Sequence, residues 1–363
     1  MNTDRKLVLA DGTVFLGTGF GSNAQVIAEV IFFTGMTGYQ EVLTDPSYNN
    51  QIVVMTYPMI GNYGISNENS QLTKNIAPTG AAALIVKEHC ETPSNWSSAK
   101  SLDEFLKEKN IPGLCNVDTR ALTIKIRETG TIKGIIIDAN IPDADAIAKL
   151  NSAPTGNDNA KRIVPKESYK VATENKKFRI VLLSFGAKMD KLIEELVNRG
   201  CEIIVASYDV STGDISSLNP DGIVLGNGSG NPADLSEVLP TIKELQTKYP
   251  LLGVCLGHQL FALANDATTS KMKFGHHGDN VPVKDITTGR TLITSQNHNY
   301  QVDADSLTET DLELTHYAIN DNTVQGVKHK LHPAFSVQFL PEAHVGPQDS
   351  KYLFDQFIES LGV

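Results

Sequence analysis

The sequence predicts an α/β protein in two parts: a β-rich α/β domain over residues 1–150 and a second domain over 178–363 built on a mainly parallel sheet. Three observations predict this. Strands and helices alternate from 178 to 265, as in a parallel sheet with helices on both faces. Before residue 150 the apolar runs are mostly β-branched, as buried strands are. Between these parts, residues 151–177 (NSAPTGNDNAKRIVPKESYKVATENKK) are poor in large apolar residues, a linker composition. A length of 363 residues fits two domains of about 100–200 residues each.

In the first part, Lys6–Leu9 reads as a strand ending in the turn Ala10-Asp11-Gly12. Gly17-Thr18-Gly19-Phe20-Gly21 reads as a turn rather than a dinucleotide fingerprint. Val26–Phe33, Gln51–Thr56 and Ala81–Val86 read as buried strands. Ser101–Lys109 has a helical spacing of Leu102, Phe105 and Leu106, and Asp118–Arg127 opens on a good N-cap residue. Glycines 35, 38, 61 and 64 punctuate loops. In the second part, strands are expected at Phe178–Ser184, Cys201–Ala206, Gly222–Leu225 and Leu251–Val254. Helices are expected at Lys188–Arg199, Asp234–Lys248 and Gly257–Asn265. From Val281 the pattern suggests shorter strands and a closing helix, Tyr352–Leu361.

Composition narrows the function classes. Forty-two acidic against 31 basic residues give a formal charge of −11, which argues against a nucleic-acid groove. No apolar run approaches the roughly 18–20 residues of a membrane span. Met1–Ala10 carries no hydrophobic region of signal-peptide length. The four cysteines (Cys90, Cys115, Cys201, Cys255) show no CxxC spacing, so neither a disulfide scaffold nor a zinc site is expected. A reducing cytoplasm is the expected compartment.

The sharpest local signal is Gly253-Val254-Cys255-Leu256-Gly257-His258-Gln259. A buried strand runs into a glycine-flanked nucleophile and then into a helix, the geometry of a nucleophile elbow with Cys in place of Ser. The glycines leave room where backbone passes close to the turn. The helix N-terminus favours the thiolate, and backbone N–H groups at the turn can hold an oxyanion. The other three cysteines read as packed thiols. Directly after the strand Gly222–Leu225 comes Gly226-Asn227-Gly228-Ser229-Gly230-Asn231-Pro232. Lacking Gly-Lys-Ser/Thr, it is no phosphate loop. It lies, like Cys255, at the carboxyl end of a strand, where open α/β sheets bind ligands.

These residues resemble a known family. GVCLGHQLFALA, KMKFGH and TSQNH are similar to the class I glutamine amidotransferase core. FFTGMTGYQEVLTDPSY, TYPMIGNYGI, ETPSNW and IPGLCNVDTRALTIKIRETG resemble the N-terminal domain specific to the small subunit of carbamoyl-phosphate synthases. The resemblance covers essentially the whole chain. It implies that Cys255 attacks the side-chain amide of glutamine, releasing ammonia, and that water hydrolyses the thioester. A His would serve as acid and base and a Glu two residues on, here Glu342, would orient it. Two residues apart on one strand would put that pair on one face. It further implies glutamine contacts at Ser47, Gly228, Gly230, Leu256, Gln259, Asn297, Asn299 and Tyr300. Ammonia would pass through a tunnel to a large subunit contacted through the N-terminal domain. That partner would use ATP, Mg²⁺ and bicarbonate to make carbamoyl phosphate for arginine or pyrimidine synthesis. The implied assembly is a heterodimer, with no metal or cofactor in this chain and no nucleic acid or membrane as partner.

The sequence departs from that pattern around the reaction. The family's His-Pro-Glu is here Leu340-Pro341-Glu342, so the proton carrier is replaced by a leucine. Loss of a general acid–base costs on the order of 10²–10⁴-fold. An alternative reading follows: an impaired glutaminase subunit that supports or regulates an ammonia-using large subunit. Ser229 and Asn231 alter the oxyanion loop, and Asn299 stands where the family has Gly. Phe339, Asp266, Ser184 and Val281 replace Gly or Tyr, Gly, Asp and His. His344 has the strand parity of Leu340 and is the first candidate substitute. His258 is expected to face helix or solvent, and His298 and His332 to be ordinary structural histidines.

Overall fold

The computed structural model describes residues 4–67, 80–153, 164–165, 167–343 and 346–362. The chain divides into two compact units, Met1–Asn69 with Pro78–Asn157, and Ser70–Ala77 with Asp158–Val363.

The first unit is a closed barrel. Its strands are β1 (Arg5–Leu9), β2 (Val14–Gly21), β3 (Val26–Phe33), β4 (Gln51–Met55), β6 (Ala83–Ile85), β8 (Pro112–Cys115) and β9 (Ile132–Asp138), in the order β1-β2-β8-β6-β4-β3-β9. A small parallel pair, β5 (Met59–Ile60) with β7 (Glu88–His89), lies apart from it. The stretch read as a glycine turn, Gly17–Gly21, is the second half of β2. A Cβ at Gly17 would come within 2.6 Å of the Cys115 carbonyl oxygen, and one at Gly19 within 2.7 Å of Arg5 Cδ. These glycines therefore serve close strand packing, not a bend. Among the described residues, four α-helices complete the unit: α1 (Tyr39–Thr44), α2 (Leu102–Glu108), α3 (Thr119–Thr129) and α4 (Asp143–Ser152). The Ser101 hydroxyl accepts from Glu104 N and the Glu104 carboxylate accepts from Ser101 N, a capping box that fixes the start of α2.

The second unit holds a ten-stranded sheet in the order β10-β12-β11-β13-β14-β19-β18-β17-β15-β16. The strands β12 (Cys201–Ser207), β11 (Phe178–Phe185), β13 (Gly222–Gly228), β14 (Leu251–Val254) and β19 (Ala334–Val337) run parallel. Alternate residues of β11 enter separate apolar clusters, Val181 and Leu183 in one, Ile180 and Leu182 in the other. That is the pattern of a sheet covered on both faces. The covering helices are α5 (Asp190–Asn198), α6 (Thr212–Ser217), α7 (Leu239–Lys248), α8 (Leu256–Ala264) and α9 (Tyr352–Ser360). Antiparallel strands extend the sheet: β10 (Tyr169–Val171) at one edge, and β15 (Thr269–Asp285), β16 (Thr291–Val302), β17 (Leu312–Ala318) and β18 (Val324–His329) towards the other.

Several expectations change. Part of the linker-like stretch supplies β10, an edge strand paired with β12. β13 runs on to Gly228, so half of the glycine-rich loop is strand. The single helix read over 234–248 is a 3-10 helix, Pro232–Val238, followed by α7, because Leu235 leaves helical geometry and Pro240 opens the new helix. After Val281 the strands do shorten towards the C-terminus (β17, β18 and β19), but Val281 itself lies in a long hairpin, β15–β16. Register shifts between Lys271 and His276 and between Gly278 and Val281 interrupt its alternation, which hid its length in the sequence. Among the described residues no helix is long and apolar enough to cross a membrane, and no three His, Cys, Asp or Glu side chains are grouped to hold a metal.

Candidate active site

Cys255 sits between β14 and α8 with φ 54° and ψ −105°, a backbone region that L-residues rarely occupy. Its surroundings hold it there. Its N–H donates to the Val337 carbonyl at 2.9 Å on the neighbouring strand. A Cβ at Gly257 would run into the Leu225 carbonyl, and one at Gly253 would come within 2.9 Å of Ser336 Cβ. The elbow glycines are thus required by backbone crowding, as the sequence suggested. Strain of this kind costs about 1–3 kcal/mol and persists only where the fold over-determines it. Cys255 is 1 % exposed. Its thiol donates to the Asn297 carbonyl at 3.6 Å and accepts from Gln338 Nε2 at 3.8 Å.

The residues assigned to glutamine binding fall into two groups. In the second unit, Leu256, Gln259, Asn297 and Tyr300 surround the elbow. Gln259 Nε2 donates to the Tyr300 carbonyl at 2.7 Å and to Gln338 Oε1 at 2.9 Å. Gly228 lies against Leu256, since a Cβ there would come within 2.6 Å of Leu256 Cδ2. Gly230 has φ 104°, a conformation that favours glycine. Asn299 needs no left-handed backbone, because it lies inside β16; its Oδ1 contacts His277 Nε2 at 3.0 Å. Asn297 Oδ1 meets the other ring nitrogen of the same histidine, Nδ1, at 2.7 Å. Ser47 belongs to the first unit, buried in the 3-10 turn Pro46–Tyr48, where its N–H donates to Asp45 Oδ1 at 2.9 Å.

The segment after β19 carries the departures. β19 ends at Val337, and Leu340 makes only an isolated bridge with Ser295, donating its N–H to the Ser295 carbonyl at 2.9 Å. Pro341 and Glu342 then form a turn closed by Ala343 N–H donating to the Leu340 carbonyl at 3.1 Å. The expectation that residues 340 and 342 share a strand face is therefore corrected: Pro341 and this turn end the extended run. Leu340 is 6 % exposed and belongs to the same buried apolar cluster as Cys255, Val337 and Phe339. Glu342 is 4 % exposed. His344 lies outside the described residues.

The histidines have structural partners. His258, expected at helix or solvent, is fully buried. Its Nδ1 meets Ser336 Oγ at 2.8 Å, and burial pushes its pKa down to about 3, so its ring is neutral. His298 meets the Tyr300 carbonyl through Nδ1 at 2.8 Å and Gln296 Oε1 through Nε2 at 2.9 Å, and burial holds its pKa well below the ordinary value. The altered loop also has consequences. Ser229 Oγ is buried without a hydrogen-bond partner, while Asn231 caps the 3-10 helix by accepting from Ala233 N. Asp266 has φ 67°, where glycine is easiest and aspartate is tolerated. Among the other thiols, Cys201 is pushed up to about 12 by burial, and burial also raises Cys115.

Gln338 is the site residue that sequence reasoning missed. Its amide bridges Cys255 and Gln259, yet it stands 83 and 79 residues from them along the chain, and only its two-residue spacing from Leu340 hinted at it.

Comparison with known proteins shows the family. Residues 7–136 match the family described as carbamoyl-phosphate synthase small chain, CPSase domain, and residues 181–360 match glutamine amidotransferase class-I. The carbamoyl phosphate synthase pyrimidine-specific small chain of Halalkalibacterium halodurans is 50 % identical over 98 % of this chain and 97 % of its own length. The protein of the same description from Bacillus subtilis is 50 % identical over 98 % of this chain and 96 % of its own. The carbamoyl phosphate synthase small chain of Fusobacterium nucleatum is 49 % identical over 99 % and 98 %. With both parts matched and likeness running along nearly all its length, the chain belongs to the carbamoyl-phosphate synthase small-chain family, the glutamine amidotransferase subunits of that ligase.

Proposed function

We propose that this chain is the small subunit of a carbamoyl-phosphate synthase, joined to a large subunit that uses ATP, Mg²⁺ and bicarbonate, and that its glutamine hydrolysis is slow for want of a proton carrier. The large subunit then draws mainly on free ammonia. The observation that carries this reading is Leu340, packed in one apolar cluster with Cys255 where the family has its histidine. In the reaction the thiolate adds to the glutamine carboxamide carbon, ammonia leaves, and water cleaves the thioester to glutamate. Each stage moves a proton, and a leucine can neither take nor give one. The glutamine-contacting groups Gly228, Gly230, Leu256, Gln259, Asn297, Asn299 and Tyr300 of the second unit bind the substrate in this reading. Cys255 is the nucleophile, and the family position of the imidazole that Glu342 would orient is Leu340. Two relatives are described as pyrimidine-specific, and we assign the product to pyrimidine synthesis on that likeness.

One observation favours a second reading, in which glutamine is used through another proton carrier. The strained backbone at Cys255 (φ 54°) is retained, as expected of a working nucleophile. The test is to reconstitute the chain with its large subunit and assay carbamoyl phosphate formation from glutamine and, separately, from ammonium. Ammonium alone supporting synthesis establishes the first reading. Efficient glutamine use that disappears in Cys255→Ala establishes the second.

A further inference from the structure

The geometry points to Gln338 as a positioning residue for the nucleophile: its side-chain amide clamps Cys255 and Gln259 together and favours the thiolate form of the buried sulfur. The inference rests on Cys255 being the nucleophile of the proposed function.

Two residues of one chain segment make paired contacts with the start of α8. Ser336 Oγ meets His258 Nδ1 at 2.8 Å. Gln338, two residues later, meets both Gln259 (Oε1, 2.9 Å) and Cys255 (Nε2, 3.8 Å). The backbone cooperates, with Cys255 N–H donating to the Val337 carbonyl and Gln338 N–H donating to the Gln325 carbonyl, both at 2.9 Å. Gln338 is fully buried, so its amide direction is set by these partners and not by water. Gln259 in turn donates to the Tyr300 carbonyl, which ties the clamp to β16.

The chemistry is directional. As a thiol, Cys255 donates to the Asn297 carbonyl and accepts from Gln338 Nε2. On ionisation the bond to the carbonyl is lost and the N–H bond to sulfur strengthens, because donors favour the charged acceptor. Other titratable groups on the packed elements include His258 on α8, His276 and His277 on β15, His298 on β16, His316 on β17 (its ring edge-on to Phe339 at 5.6 Å) and Glu342. Burial lowers the pKa of His258, His298 and His316.

The test measures alkylation of Cys255 by iodoacetamide from pH 6 to 10 in the full chain. Site-resolved peptide mass spectrometry is needed because Cys90 and Cys115 are partly exposed. The wild-type midpoint is expected below the ordinary thiol value of about 8.5. Gln338→Met removes both contacts and is expected to raise the midpoint by about one unit, a tenfold smaller thiolate fraction at neutral pH. Gln338→Glu still accepts from Gln259 but cannot donate to sulfur when ionised, and it is expected to raise the midpoint at least as far. Coincident midpoints in folded wild type and variants overturn the proposal. If Gln338→Met does not fold, Gln338→Glu decides; if neither folds, a wild-type midpoint at or above the ordinary value overturns it. The readout is the sulfur and not turnover, so it fails separately from the proposed function. Coincident midpoints leave the ammonium result standing, and glutamine turnover in wild type leaves the midpoints untouched.

Discussion

The two halves of the candidate site have been treated differently. Around β14 and α8 the elbow keeps its strained cysteine, its crowding-enforced glycines and Gln259. Across from it, residues 338–343 keep a buried carboxylate but fill the proton carrier's place with the apolar side chain of Leu340. The difference separates what backbone sterics hold in place from what a single side chain decides. The elbow is held by backbone sterics that also hold the fold together, so its geometry persists whatever residue 340 is. Position 340 is a single side chain, and its leucine fits the surrounding apolar cluster.

The largest predicted effect breaks that asymmetry. Leu340→His is expected to raise glutamine-dependent carbamoyl phosphate synthesis on the order of 10²–10⁴-fold, with ammonium-dependent synthesis unchanged; an unchanged glutamine rate means that more than one part of the relay is missing. Next, Gly257→Ala drives a methyl against the Leu225 carbonyl. It is expected to cost about 1–3 kcal/mol or more, read as a lower midpoint in denaturant, whereas Leu340→Ala leaves the elbow in place and costs about 2–5 kcal/mol through cavity formation alone. Gln259→Leu sharpens the comparison from the binding side. It removes both donated bonds, and calorimetric glutamine affinity is expected to fall about tenfold or more, as a lost bond at a buried partner costs about 1–3 kcal/mol. A further effect concerns pH. His258 titrates near 3 in the folded chain and near 6.5 when unfolded, so the unfolded state binds more protons between those values. Stability is then full above pH 6.5 and falls as pH drops towards 3, by at most about 1.4 kcal/mol per pH unit from this group. His258→Gln is expected to flatten the thermal stability profile in that window, and an unaltered slope contradicts the buried neutral ring.

Much of this molecule was legible in its residues. The alternation from 178 to 265 gave the parallel sheet, and the glycine-flanked cysteine gave the elbow, because both depend on periodicity and local sterics. The misreadings have equally physical causes. Gly17 and Gly19 looked like a turn because glycine in a strand is justified only by a neighbour, here Cys115 and Arg5. The β15–β16 hairpin was hidden by bulges that break its period. His258 was read as facing helix or solvent because its partner, Ser336, lies 78 residues away.

The sequence by itself determined the family, and it carries the glycine-flanked cysteine and the leucine at position 340, since each is written in contiguous residues. Only the tertiary structure decided that Asn299 keeps ordinary strand backbone, that Glu342 sits in a turn, and that Gln338 reaches the sulfur. Those outcomes depend on the register of strands brought together from distant parts of the chain, and register is set by the packing of the whole sheet rather than by any local run of residues.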